Sequence, residues 1–215
     1  MGIDDSSRRQ LRFMVMDLAH SSIASGHLGM ERTLARLKDK FYWKSMAKDV
    51  GIFITSCDSC CLYKGSAGMG TVPMHSIVVE RPMQLVTADF YGPVHTKSSE
   101  GHEHILVMMD FFTRFVVLIP LKTLLAKEVA LAMTERFFSY YGLCELLFTS
   151  QVMQEVCIVL GIKKTQTTAY HPQGNGLVER FNRTLGSMIF ACDLLSTPDW
   201  DKCLPMLMLA YNSSY

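Results

Sequence analysis

From Arg8 to Ala19 the apolar residues Leu11, Val15 and Leu18 recur at three- and four-residue intervals, the spacing that lines one face of a helix. A second helical pattern follows Gly29 with Leu34 and Leu37 turned inward, so two short helices bracket His20 and His27. Beyond Phe41-Tyr42-Trp43, the stretch Lys44 to Thr55 places Met46, Val50 and Phe53 on one face, just ahead of a cysteine pair, and the pattern closes near Lys64. Gly65 to Pro73 is rich in Gly and Ser and has no apolar period, which marks a linker. The rhythm then changes. Leu85 to Asp89, His104 to Asp110 and Arg114 to Pro120 are β-rich runs of strand length, separated by Gly92-Pro93 and by the turn material Ser98 to Gly101; three consecutive antiparallel strands are expected. Ala126 to Tyr140 has helical spacing, Glu145 to Phe148 is a short apolar strand candidate, and Ser150 to Leu160 is helical again. A polar loop around Tyr170 to Gly176 precedes a long amphipathic helix, Leu177 to Leu195, and a last helix from Trp200 to Tyr211. Strands alternating with helices predict an α/β layer, and there is no internal repeat.

Length and charge narrow the picture. A chain of 215 residues, 49% hydrophobic, can bury the core of one medium domain plus a small one. Apolar runs such as Phe115 to Leu121 and Leu204 to Tyr211 are far too short to cross a bilayer and the amino terminus lacks a signal-peptide pattern, so a soluble intracellular protein without a membrane partner is expected. The net charge of +1 excludes a protein that holds nucleic acid by bulk electrostatics alone; any basic surface must be local. Up to Ser66 there are ten Lys+Arg against seven Asp+Glu, and after it eleven against thirteen.

The seven cysteines form one close cluster, Cys57, Cys60 and Cys61, with the other four scattered through apolar segments, which suggests metal binding and buried thiols without a disulfide framework. His20 and His27 lie seven positions apart, and a Cys-x-x-Cys pair begins thirty positions after His27. Four ligands of these types favour tetrahedral zinc. The expected set is His20, His27, Cys57 and Cys60; Cys61 is a competitor, disfavoured because the two-residue spacing makes the usual knuckle. A module of this size gains folding free energy by closing four ligands on one ion, and no position is left open for catalysis, so the zinc is structural. The isolated His75, His95 and His102 are expected to be ordinary surface or core residues.

His27-Leu28-Gly29, Thr33, Phe41-Tyr42-Trp43, Asp49-Val50 and Cys57-Asp58-Ser59-Cys60 with Lys64 resemble the His-His-Cys-Cys module of gypsy-type retroelement integrases. Further on, Thr87-Ala88-Asp89-Phe90-Tyr91-Gly92-Pro93 and Tyr170-His171-Pro172-Gln173-Gly174-Asn175-Gly176-Leu177-Val178-Glu179-Arg180-Phe181-Asn182 resemble the same family's core. The resemblance implies an α/β, RNase H-like integrase core preceded by a small all-α zinc-binding domain. It divides the chain into a zinc-binding domain over residues 1–66, a linker over 67–82 and a core over 83–215. It also implies DNA as partner, DNA integration by polynucleotidyl transfer as activity, at least dimeric assembly, and a nuclear location.

Such integrases cut and join DNA with three carboxylates that hold two magnesium ions. In-line attack on a phosphodiester needs one ion to activate the nucleophile and another to stabilise the leaving oxygen, and hard cations take anionic oxygen ligands. The resemblance makes Asp89 the first acid and Glu179 the third, both ligands of magnesium. The second belongs in a segment of the form Ser-Asp-x-Gly-x-x-Phe-Thr-Ser, and counting back thirty-six positions from Glu179 lands on Leu143. Gly142-Leu143-Cys144-Glu145-Leu146-Leu147 resembles the text before that motif and Phe148-Thr149-Ser150-Gln151 the text after it. The aspartate is missing, with roughly seven residues, near 147–148. Asp110, in Asp-Phe-Phe-Thr-Arg-Phe, matches a family aspartate outside the catalytic three, and Glu145 precedes the strand whose far end should carry the ligand. The chain also stops shortly after Tyr211-Asn212, where family cores continue toward a further domain, so an incomplete carboxy terminus is expected.

Lys163, Lys164, Arg180 and Arg183 are the basic grouping nearest these acids, suited to positioning a DNA end through its phosphates. Arg183 lies one turn after Glu179 and could instead pair with it. The polar segment holding His171, Gln173 and Asn175 is the better candidate for touching DNA. The leading expectation is an integrase relative that binds DNA and zinc and is catalytically impaired. The alternative is a non-enzymatic, domesticated zinc-binding scaffold for protein or nucleic-acid association.

Overall fold

The computed structural model describes residues 5–63, 77–149, 156 and 173–214. The amino-terminal module is all helical: α1 (Asp5–His20), α2 (Met30–Lys38), α3 (Met46–Thr55) and α4 (Asp58–Tyr63). Met16, Leu37, Met46 and Val50 form its small core, with Val15, Leu34, Trp43 and Phe53 packed around them. The helix expected over Arg8 to Ala19 forms, and of its three spaced apolar residues Val15 packs on the core. Leu11 and Leu18, 53% and 65% exposed, make an outward apolar stripe with Met14, whereas Met16 and His20 are buried. His20 sets the rotation: the ring must reach the other ligands, so its neighbour one turn back, Met16, turns in with it.

The second unit is a four-stranded sheet of β1 (Leu85–Tyr91), β2 (His104–Asp110), β3 (Val116–Leu121) and β4 (Leu146–Thr149), in the order β3-β2-β1-β4. β1–β2 and β2–β3 are antiparallel, with Asp89 opposite Val107, while β4 runs parallel to β1 with Thr149 beside Ala88. Alternate side chains serve two layers, as the period of a strand dictates. Val86, Ala88, Leu106, Met108, Val117 and Leu147 pack under α5 (Ala126–Met133), whose run continues through a π turn at Thr134–Phe138 into α6 (Ser139–Tyr141). The opposite face carries Ile105, Val107, Met109, Val116 and Leu118 against α7 (Gln173–Ala191) and α8 (Leu204–Asn212).

Several expected boundaries move. β1 runs two residues past Asp89, and β3 starts at Val116 because the Arg114 N–H bonds Asp110 O at 2.9 Å in a tight turn, with Arg114 at φ +64°. The expected loop Tyr170 to Gly176 is helical from Gln173 onward; the two glycines cost about 1 kcal/mol each in helix propensity, offset by the buried row Val178, Phe181, Leu185 and Met188 on the same helix. That helix ends at Ala191, short of the expected Leu195, where the chain turns through Asp193 at φ +49°. Residues 170–172 and, except for the buried Val156, the expected helix Ser150 to Leu160 lie outside the described residues. Among the described residues no helix is long and apolar enough to cross a membrane.

The outer edge of β3 is closed by side chains. The Val116 N–H donates to Asn212 Oδ1 and Asn212 Nδ2 donates back to Val116 O, both at 2.9 Å. The Leu118 N–H faces Met208 Sδ at 3.0 Å, and Pro120 has no N–H to offer.

The zinc module rests on α7 and α8. Leu28 is buried in the same cluster as Met188, Ala210 and Tyr211. Gly26, at φ +62°, has Met188 Cε 2.5 Å and Ala210 Cβ 3.2 Å from where a Cβ would stand, so only glycine meets both the backbone and the packing demand there. The Arg36 guanidinium donates to Ala210 O and, at 3.0 Å, to Ser213 Oγ, and Arg32 lies over the Tyr211 ring at 4.6 Å.

Asp110 is buried and structural. Its carboxylate accepts the Met83 N–H at 2.8 Å, the Thr113 N–H at 2.7 Å and the Thr113 hydroxyl at 2.6 Å, tying the chain ahead of β1 to the β2–β3 turn. Asp110→Ala strands these donors, and urea unfolding is expected to lose about 3 kcal/mol of stability; a loss below about 1 kcal/mol would contradict this role.

Candidate metal centre and carboxylate pair

The metal centre is assembled from three elements. His20 is the last residue of α1, His27 lies in the loop before α2 at φ +47°, and Cys57 and Cys60 bracket the first turn of α4. Cys60 Sγ is 3.4 Å from His20 Nε2 and 3.7 Å from His27 Nδ1, and Cys57 Sγ is 3.5 Å from His27 Nδ1. All four donor atoms lie within 4.8 Å of one another. A tetrahedron with arms of about 2.0 Å to nitrogen and 2.3 Å to sulfur has N···S edges of about 3.5 Å, so the donors stand at zinc spacing. His20 Nδ1 is 3.1 Å from Leu28 O; donation there fixes the tautomer in which Nε2 carries the lone pair that faces Cys60 Sγ and the metal position. Buried Thr33 sends its hydroxyl to the same carbonyl at 3.2 Å. Cys61 is exposed and its thiol donates to Thr55 O at 3.0 Å, which removes it from competition.

Of the expected core residues, Asp89 and Glu179 come together. Asp89 shares a sheet face with Thr87 and Tyr91, toward α7, and its Oδ2 accepts Asn182 Nδ2 at 3.0 Å. Asn182 lies three positions after Glu179 on α7, hence on the same side of the helix. Burial pushes the Asp89 carboxyl above its ordinary range, opposed by a backbone hydrogen bond from Phe90; the nearby Glu179 charge raises it further and the Asn182 bond works against it. Asn182 Oδ1 is buried and has no hydrogen-bond partner among the described residues. Sequence reasoning gave Asn182 no role, although its offset from Glu179 on a helix was a signal for one.

No described acid joins this pair. The β4 residues at the Asp89 end of the sheet are Phe148 and Thr149. Glu145 precedes the opposite end of β4 and is held by Arg81, Nη2 to Oε1 at 2.5 Å and Nε to Oε1 at 3.1 Å. Among the described residues the pair therefore offers two carboxylates and one carboxamide oxygen, less anionic charge than two magnesium ions require. Arg180 and Arg183 are exposed on α7, and the alternative pairing of Arg183 with Glu179 is not formed. Gln173 and Asn175 sit in the first turn of α7, while Lys163, Lys164 and His171 lie outside the described residues.

Comparison with known proteins agrees with this arrangement. The integrase zinc binding domain family matches residues 8–66, the stretch that carries all four zinc donors. Over 97% of the chain there is 29% identity to the retrovirus-related Pol polyprotein from transposon 412 of Drosophila melanogaster, of which the match spans 17%. The gypsy retrotransposon integrase-like protein 1 of Bos taurus is 28% identical over 94% of the chain. The chain is a relative of the gypsy-type integrases. This integrase relative is also 28% identical, over 98% of its length, to the Pro-Pol polyprotein of simian foamy virus type 3. It spans 41% of the bovine protein and 18% of the viral one, well under half of each.

Two outcomes are expected of the integrase relative. Cys60→Ala, or chelation of the wild type, should abolish the single bound zinc by metal analysis and unfold the amino-terminal module; full zinc content in the variant would exclude Cys60 as a ligand. For Asp89 the sign follows from proton binding. A carboxyl whose folded value is raised binds more protons in the folded than in the unfolded chain, so its ionisation destabilises. The penalty is absent below the ordinary carboxylate range and complete once pH has risen through the raised value. Asp89→Asn is therefore expected to raise Tm near pH 7 and leave it unchanged near pH 3, and a Tm gap that does not shrink on acidification would refute the electrostatic account.

Proposed function

We propose that this chain is a DNA-binding, zinc-stabilised integrase relative whose strand-transfer centre is impaired. The observation that carries the reading is the pairing of Asp89 with Glu179 and Asn182 at a sheet end where β4 supplies Phe148 and Thr149. The pair keeps the electrostatic signature of a site built for cations: two carboxylates close enough for one to raise the pKa of the other. Among the described residues no further anion stands beside it to let a second cation bind next to the first. Asp89 and Glu179 are thus the remaining catalytic acids of the family site, with magnesium their expected ligand once the set is completed.

DNA binding rests on Arg180 and Arg183, exposed on α7 close in sequence to Glu179, which would meet phosphates and position a strand end without reading its sequence. Lys163, Lys164, His171, Gln173 and Asn175 are assigned to the same role from the sequence alone. DNA as the partner implies work in the nucleus. Closure of the β3 edge leaves side-chain surfaces for any self-association. The scaffold alternative shares the zinc module and differs in having no affinity for DNA.

The test compares this chain with a version in which a Ser-Asp-x-Gly-x-x segment is restored between Leu147 and Phe148. Both should bind a duplex DNA end. Only the restored chain should join ends in magnesium, and Asp89→Asn should silence it. Joining by the present chain would overturn the impairment, and failure of both forms to bind DNA would favour the scaffold.

A further inference from the structure

The loop between α2 and α3 combines features that neither the metal centre nor the carboxylate pair uses. Tyr42 is 91% exposed and its neighbour Phe41 is 42% exposed, so two adjacent aromatic rings face water. Lys38, Lys40, Lys44 and Lys48 are all exposed, and none of them is ion-paired among the described residues. From Lys38 to Lys48 the single acid is Asp39, a local excess of positive charge on a chain whose net charge is only +1. A single exposed tyrosine would be ordinary. Aromatic faces set among unpaired lysines are the combination that binds unstacked bases and their phosphates.

The loop is also held in shape. Trp43 packs into the module core and its Nε1 donates to Asp49 Oδ2 at 2.7 Å, while Arg12 approaches the same carboxylate at 3.9 Å. The Lys40 and Phe41 N–H groups both return to Leu37 O, at 3.1 and 2.8 Å. Ser45, at φ +70°, turns the chain into α3, whose Asp49 N–H bonds Ser45 O at 3.0 Å. With Trp43 anchored inward and the chain fixed on either side, Tyr42 projects from a preorganised support, so little ordering entropy is spent when a ligand arrives.

We propose that this loop is a binding site for an unpaired nucleotide of a DNA strand, with the base stacked on Tyr42 and the flanking phosphates met by Lys40 and Lys44. The site lies on the zinc module and is separate from Arg180 and Arg183. It rests on the reading of the chain as DNA-binding, and adds to it a preference for single-stranded or frayed DNA.

The zinc-loaded 215-residue chain is titrated into a fluorescent oligothymidylate strand and into a blunt duplex of equal length, at several salt concentrations. Tyr42→Ala should weaken strand binding by about fivefold to a hundredfold, with a smaller effect on the duplex, and Tyr42→Trp should retain it. Replacing both Lys40 and Lys44 with alanine should lower the salt slope for the strand by about 1.4. Exposed Tyr42 bears no packing, so zinc content and Tm should match the wild type. Unchanged strand affinity in a normally folded Tyr42→Ala overturns the site and leaves DNA binding intact. A wild-type chain that binds neither DNA form overturns both, and a loss equal for strand and duplex overturns the stacking role.

Discussion

Leu28 stands where two demands on the chain meet. Its carbonyl receives the His20 Nδ1 proton, which turns the Nε2 lone pair toward the metal position, and its side chain is buried with Met188 and Ala210 in the core beneath α7 and α8. The residue that holds a zinc ligand in its tautomer is thereby also the residue that seats the module on the sheet domain. Gly26 allows the approach and Arg36 fastens it to the last turn of α8. Much of the folding free energy of a small module comes from its metal, so loop, ligand and docking surface form one cooperative unit. α7, against which that unit rests, also carries Glu179 and Asn182.

The zinc set was legible in full, because ligand type and spacing are local properties of a sequence. Strand identities were legible as well: each strand has the apolar content its burial requires, and β2 follows the expected limits residue for residue. What escaped depends on contacts distant in sequence. The rotation of α1 is chosen by His20 and its partners thirty and more positions away, so the apolar spacing of Leu11 and Leu18 does not by itself identify the buried face. The helical start at Gln173 runs against its two glycines and follows from the packing of residues farther along α7. Asp110 reads as one more strand-end acid until Met83 and Thr113 converge on it.

The carboxylate pair shows how burial and a neighbouring charge act on one acid. Asp89 is partly buried and close to a second anion, and the Asn182 amide supplies only a neutral donor in return. Burial and that neighbouring charge raise the carboxyl's proton affinity, and among the described residues Asn182 Oδ1 has no hydrogen-bond partner. The motif around Glu179 could be recognised from its neighbours in the chain, whereas the approach of Asp89 and Asn182 to one another lies in space, between β1 and α7.

Asn212 closes the far margin of the sheet, with both polar atoms of its amide occupied by the backbone of Val116. With Met208 over the next amide and Pro120 beyond it, that margin offers no run of open N–H groups onto which another strand could zip. The fold therefore carries its own protection against growing into fibres or swapping strands along β3, provided that the helix bearing Asn212 stays in place.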